Sequence, residues 1–171
     1  MLRIVLTALI LLVAGTVLAG QFVADESDFT CLRDWTKVHH MRVFHRKPKK
    51  LKKAIAIIEA GEGKRLPKGT FLQIFPNEAM VKRGGKFNKE SGGWEFFALG
   101  VSSAGTTIIQ RGGTEVLNQF GGGPCQTCHA PAADFDFLCE TDHGCIKLPD
   151  FVTPELLEAL QQNDPRCTPA E

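Results

Sequence analysis

Several things are scarce or missing in this 171-residue chain. There is no tyrosine, so no tyrosinate can serve as a metal ligand. The formal charge is only +1, which excludes global electrostatic steering toward an acidic or basic partner. No internal repeat and no low-complexity segment interrupts the chain, which excludes solenoids and disordered tracts. The apolar run at the N-terminus is shorter than the roughly 20 residues a spanning helix needs. The cysteines lack a second ligand pair at fixed spacing, which argues against a structural zinc site. What remains has the composition of one folded soluble domain, with 43% hydrophobic and 23% charged residues.

The N-terminal segment reads as a secretory signal. Arg3 is its only charge, the run from Ile4 to Leu12 is broken only by Thr7, and Val17-Leu18-Ala19 with Gly20 offers a small-residue cleavage site. Residues 1–19 are thus expected to be removed, leaving an exported, periplasmic and soluble chain with 19 basic and 19 acidic side chains. Residues 20–30 read as a polar, flexible tail. Residues 31–171 read as the single functional domain.

Asp34 to Ala60 reads as helical, with Leu51, Ala54, Ile55 and Ile58 at helical spacing, Pro48 at a helix start and Gly61 at its end. Four strands follow at Thr70–Phe75, Ala79–Lys82, Trp94–Val101 and Thr106–Gln110, which predicts an antiparallel sheet. Thr153-Pro154 opens a last helix that runs to about Gln162 and presents Leu156, Leu157 and Leu160. The fold class expected is α+β, an antiparallel sheet with flanking helices.

The chemical signal is Cys125-Gln126-Thr127-Cys128-His129. Two thiols three positions apart reach the two vinyl groups on one porphyrin edge, and the following imidazole projects toward iron. This spacing marks covalent attachment of one haem c, with His129 as the metal ligand. Composition alone predicts roughly 0.006 chance matches, so the motif is informative. Gly121-Gly122-Gly123-Pro124 leads into it and lets backbone approach a flat cofactor. An electron carrier needs a sixth ligand, for which Met41, Met80, His39, His40, His45 and His143 are the candidates after signal removal. None lies in a motif that declares it a ligand. His39, His40 and His45 read as a solvated helix face, and His143 as serving a local turn.

Four further cysteines, Cys31, Cys139, Cys145 and Cys167, are an even number in an exported chain. The favoured pairing is Cys139 with Cys145 and Cys31 with Cys167; the alternative is free buried thiols. Arg42 to Lys53 holds seven Lys or Arg and no acid. It reads as a docking face for an acidic redox partner or as a solvated helix face. Nucleic acid does not fit an exported chain.

Leu66-Pro67-Lys68-Gly69-Thr70, Glu78-Ala79-Met80-Val81-Lys82-Arg83, Gly93-Trp94-Glu95-Phe96-Phe97 and the C-x-x-C-H motif resemble, in order and spacing, the cytochrome P-460 and cytochrome c′-beta family. The stretch from Cys139 through His143 and Cys145 to Leu148-Pro149 resembles a bacterial subgroup of it. The resemblance covers about residues 64–150. It implies a sheet-dominated homodimer and a five-coordinate haem whose open side binds nitric oxide or related small nitrogen-oxide ligands. Some members of the family instead oxidise hydroxylamine, and those cross-link a strand lysine to the porphyrin. Ile74 stands at that position here, which argues against hydroxylamine oxidation. Glu78 falls where the family places a distal carboxylate able to accept protons. The other reading of Glu78 is a strand-end residue paired with Lys82 or Arg83. Phe71, Phe75, Phe96 and Phe97 either line an apolar distal pocket or pack the core. Three functions follow: a small-ligand haem protein, a haem enzyme converting hydroxylamine or nitrogen oxides, or a periplasmic electron-transfer cytochrome.

Overall fold

The computed structural model describes residues 22–119, 123–140 and 142–167, so the expected signal segment lies outside the described residues. Among the described residues, no helix is long and apolar enough to cross a membrane. Six strands form one antiparallel sheet in sequence order: β1 (Thr36–Val38), β2 (Met41–Phe44), β3 (Phe71–Phe75), β4 (Glu78–Lys82), β5 (Trp94–Ser102) and β6 (Gly105–Gly112). Three helices flank it, α1 (Pro48–Ala60), α2 (Cys125–His129) and α3 (Pro154–Gln162). The α+β expectation holds.

The sheet has two differently filled faces because side chains alternate along each strand. Leu72, Met80, Trp94, Phe96 and Ala98 share one face with Ala54, Ile57 and Ile58 of α1 and with Cys125. Phe71, Ala79, Val81, Phe97 and Leu99 form the other face, covered by Ala24, Phe29, Leu32 and Trp35. The register of β4 on β5 pairs Met80 with Phe96 and Lys82 with Trp94, so the two strands deliver matched rows to each face.

Two expectations need correction. The span Asp34–Ala60 is helical only from Pro48; Thr36–Phe44 forms the β1–β2 hairpin. The branched and aromatic residues Thr36, Val38, Val43 and Phe44 favour a pleated surface, and His39 takes the left-handed turn conformation at φ 52°. The sheet therefore has six strands rather than four. The second correction is the polar tail. Asp25 caps a short 3-10 turn (Glu26–Asp28), and Ala24 and Phe29 are buried against the sheet. Those two apolar residues outweigh the polar ones between them, whose carboxylates are used: Asp28 receives Arg46, and Glu26 receives the Ile108 N–H.

The basic stretch is likewise divided. Arg42 is buried and donates to Gln161, and Arg46 pairs with Asp28. Lys49, Lys50, Lys52 and Lys53 are exposed on α1. Gln161 of α3 also donates to the His40 and Ile74 carbonyls, a buried polar junction that ties α3 to the sheet.

Both expected disulfides form, Cys31–Cys167 and Cys139–Cys145. The first spans 136 positions and joins the two ends of the domain. Around it, buried Asp164 accepts the Leu32 N–H at 3.0 Å, and Arg166 chelates Asp164 and donates to the Phe29 carbonyl. Replacing Cys31 and Cys167 together by serine should cost about 2–5 kcal/mol, because the loop released in the unfolded chain is long. Urea denaturation checks this, and a midpoint equal to that of the wild type would contradict it.

Candidate functional site

The motif residues lie on α2, a helix of a single short run. Pro124 precedes it in an extended conformation, and the Cys125 N–H donates to the Val116 carbonyl at 2.8 Å, which anchors the helix start. Cys125, Cys128 and His129 therefore fall on one side of the first turn, the arrangement that the spacing predicts. Cys125 is buried against the sheet, and Cys128 is partly exposed. Neither is in a disulfide, whereas the other four cysteines are.

His129 is oriented from three directions. Its Nδ1 lies 2.8 Å from the Phe137 carbonyl oxygen. A carbonyl only accepts, so Nδ1 carries the hydrogen and Nε2 holds the free lone pair. Cys139 Sγ packs 3.2 Å from the same Nδ1, which places the Cys139–Cys145 disulfide against the imidazole. The Phe96 ring lies 5.2 Å away, centroid to centroid. Burial holds the imidazole below its usual pKa, and the Phe137 carbonyl works in the opposite direction. A neutral ring with a free Nε2 is the form a metal ligand requires. Among the described residues no hydrogen bond reaches Nε2. His129, Cys139 and Cys145 cluster as tightly as a metal-ligand set, but the two sulfurs are bonded to each other and have no thiolate to offer.

The Phe137 carbonyl is presented by an unusual backbone. The 3-10 segment Ala130–Phe135 after α2 is followed by two left-handed residues, Asp136 at φ 56° and Phe137 at φ 64°. For non-glycine residues such conformations cost on the order of 1–3 kcal/mol each and persist only where surroundings enforce them. Asp136 is thoroughly engaged. Its carboxylate accepts from Lys82 Nζ and from the Leu66 N–H at 2.8 Å, and its carbonyl accepts from Trp94 Nε1 at 2.7 Å. Lys82 and Asp136 are both almost wholly buried. Burial pulls the lysine below its usual range and lifts the aspartate above its own, while their mutual attraction opposes both shifts. Removing one partner of such a pair costs about 3–5 kcal/mol.

Glu78 opens β4 on the same face as Met80 and Lys82. Its carboxylate accepts the Gln119 N–H, so it pairs with neither Lys82 nor Arg83. Lys82 goes to Asp136 and Arg83 to Glu95. Period-2 alternation explains this: Arg83 and Glu95 belong to the opposite side, where Arg111 joins them. Burial raises the Glu78 pKa, and the Gln119 N–H partly offsets that. The Glu78 charge also reaches Cys125, whose thiol is pushed up to about 12, mainly by its own burial. The pocket and core roles weighed for the phenylalanines separate by residue. Phe71, Phe75 and Phe97 are buried, with Phe71 and Phe97 on the face away from His129; Phe96 alone of the four touches it.

The other histidines are committed elsewhere, and the solvated helix face assigned to three of them does not exist. His39 and His40 flank Glu140 at the hairpin turn, at 3.0 and 3.8 Å. His45 is buried, donating from Nε2 to the Lys68 carbonyl and accepting the Lys47 N–H at Nδ1. His143 donates to the Leu138 carbonyl and stacks on Phe135 at 3.9 Å, which is the local role expected of it. The sequence reading did not find Phe137, Asp136 or the use made of Lys82 and Trp94. Asp136 meets Leu66, Lys82 and Trp94 across 42 to 70 positions, and no local pattern marks such contacts.

No protein-family model matches this chain, nor does any curated protein or any solved structure.

Two outcomes follow from the site. Under denaturing, non-reducing conditions, alkylation of haem-free protein should label Cys125 and Cys128 and none of Cys31, Cys139, Cys145 and Cys167, as read by peptide mass spectrometry. For Glu78, a folded pKa above the ordinary 4.5 means that ionisation disfavours the fold as pH rises through that range. Glu78→Gln should therefore be more stable than the wild type at neutral pH, with the difference vanishing below about pH 4. Urea midpoints measured across pH check the sign.

Proposed function

We propose that this chain is an exported, periplasmic, mono-haem c-type cytochrome of the cytochrome P-460 and cytochrome c′-beta kind, and that it binds small nitrogen-oxide ligands such as nitric oxide. Cys125 and Cys128 hold the haem as thioethers, and His129 ligates its iron through Nε2. The observation that carries the reading is the state of His129 beside two unbridged motif thiols: Nδ1–H is bonded to the Phe137 carbonyl and Nε2 is left for a metal. When bound, the haem supplies an iron with a coordination position open to a small ligand.

The rest of the site is the chain's own work. The Phe137 carbonyl fixes the ring orientation and strengthens the imidazole as a donor. Phe96, Met80, Ala98 and Leu138 are buried in the same apolar cluster as Cys125, which excludes water. Of the histidines an electron carrier could use as a sixth ligand, His45 has both ring nitrogens engaged, and His39, His40 and His143 are held through Nδ1 by Glu140 and the Leu138 carbonyl. The protein functions as a soluble homodimer, and the exposed lysines of α1 offer an acidic redox partner a docking face.

A second reading, an enzyme that oxidises hydroxylamine or converts another nitrogen oxide, is favoured by one observation. Glu78 is a half-buried carboxylate with raised proton affinity near Cys125, suited to take a proton from a bound substrate. Against it, Ile74 stands where such enzymes carry their cross-linking lysine, and it packs against the apolar cluster.

The purified protein should have the mass of the chain cleaved after Ala19 plus one haem, and its ferrous spectrum should be high-spin and shift on addition of nitric oxide or carbon monoxide. A sharp low-spin alpha band insensitive to carbon monoxide would overturn both readings in favour of an electron carrier. A ferrous Soret band displaced far to the red would favour the cross-linked enzyme.

A further inference from the structure

The segment that presents the Phe137 carbonyl does not hold its shape alone. A helical segment is closed by one left-handed residue, and Asp136 does that, its N–H and the Phe137 N–H returning to the Ala133 and Ala132 carbonyls. The second left-handed residue, Phe137, is not needed for closure. It turns the Phe137 carbonyl back onto His129 Nδ1.

Two sheet residues and the Gly92 turn surround this kink. Lys82 Nζ bonds the Asp136 carboxylate and, at 3.0 Å, the Gly92 carbonyl, and it lies 4.7 Å over the Trp94 ring. Trp94 Nε1 bonds the Asp136 carbonyl. The Phe137 ring packs where any side chain on Gly92 would sit. Lys82 and Trp94 are register partners on β4 and β5, so the device stands on the two strands that also deliver Met80 and Phe96 to the site.

We propose that Lys82, Asp136 and Trp94 are positioning residues for His129: they hold the Asp136–Phe137 backbone left-handed so that its carbonyl polarises the imidazole. The inference rests on the haem reading for its spectroscopic consequence, and on the apoprotein geometry alone for the ring tautomer. Losing the hydrogen bond would weaken the imidazole as a donor to a bound iron, which would favour the ferrous over the ferric state.

The test uses haem-loaded mature protein and three variants. Lys82→Met and Asp136→Asn should keep both thioethers by mass, lower the iron–histidine stretching frequency in resonance Raman spectra, and raise the reduction potential. Glu95→Gln removes a buried ion-pair partner from the opposite face and should leave both readouts at their wild-type values. Unmoved readouts in the first two variants would overturn the proposal, and so would an equal shift in Glu95→Gln. If Lys82→Met does not fold, the near-isosteric Asp136→Asn decides alone. Wild-type protein lacking the haem mass increment would sink the haem reading only. Nitrogen-15 shifts of His129 then decide the inference: an Nδ1–H tautomer in the wild type that is lost in the variants supports it, and an unchanged tautomer overturns it.

Discussion

The hydrogen bond from His129 Nδ1 to the Phe137 carbonyl folds the segment that follows the motif helix back onto its imidazole. On one side is a five-residue helix that carries the thiols and the imidazole. On the other is the Asp136–Phe137 segment, which the meander sheet grips through Lys82 and Trp94. The bond fixes the tautomer, and the tautomer decides whether a lone pair faces outward. Everything else near the site orients one end of that contact or the other. The Cys139–Cys145 disulfide packs on the donor, and the buried Lys82–Asp136 pair fixes the acceptor's backbone.

The sheet makes this economical because its faces have different tasks. The face with Phe71, Phe97 and Leu99 is closed by Phe29 and Trp35, and it is tied through Glu95 to Arg83 and Arg111. It supports the fold and touches no motif residue. The opposite face carries Glu78, Met80 and Lys82 on β4, and Trp94, Phe96 and Ala98 on β5. A one-residue slip between these strands would exchange the two sets completely, and register is strongly specified where both faces are buried. The Arg83–Glu95 ion pair on one side and the Lys82–Trp94 contact on the other both resist such a slip.

What could be read in advance follows the range of the interactions. The C-x-x-C-H helix is local, so its geometry follows from spacing. Strands β3 to β6 hold branched and aromatic residues between turn residues, so they were legible too. The cysteine count pointed to the two disulfides. The β1–β2 hairpin was hidden because its turn uses His39 in a left-handed conformation rather than Gly or Asn. The packed N-terminal segment was hidden because Ala24 and Phe29 gain their burial from strands more than 40 positions away. The Asp136–Phe137 kink could not be read at all: its causes sit at Leu66, Lys82 and Trp94, and a left-handed Phe has no signature of its own.

A buried lysine–carboxylate pair is a costly way to fill space, and two apolar side chains of the same volume in its place are often no less stable. Stability alone therefore does not account for Lys82. What an ammonium adds is geometric demand: it needs several acceptors in fixed directions, and here it finds the Asp136 carboxylate, the Gly92 carbonyl and the face of Trp94. An aliphatic residue would tolerate small displacements of the Asp136–Phe137 segment, but this network does not. A shift of even an ångström there would take the Phe137 carbonyl out of range of Nδ1 and free the ring to change tautomer. Glu78, two pleats along the same strand face, places a second titratable group near Cys125. Strand β4 thus sets a carboxylate of raised proton affinity near the thiol at one end, and at the other a charge that governs the imidazole through two residues of backbone.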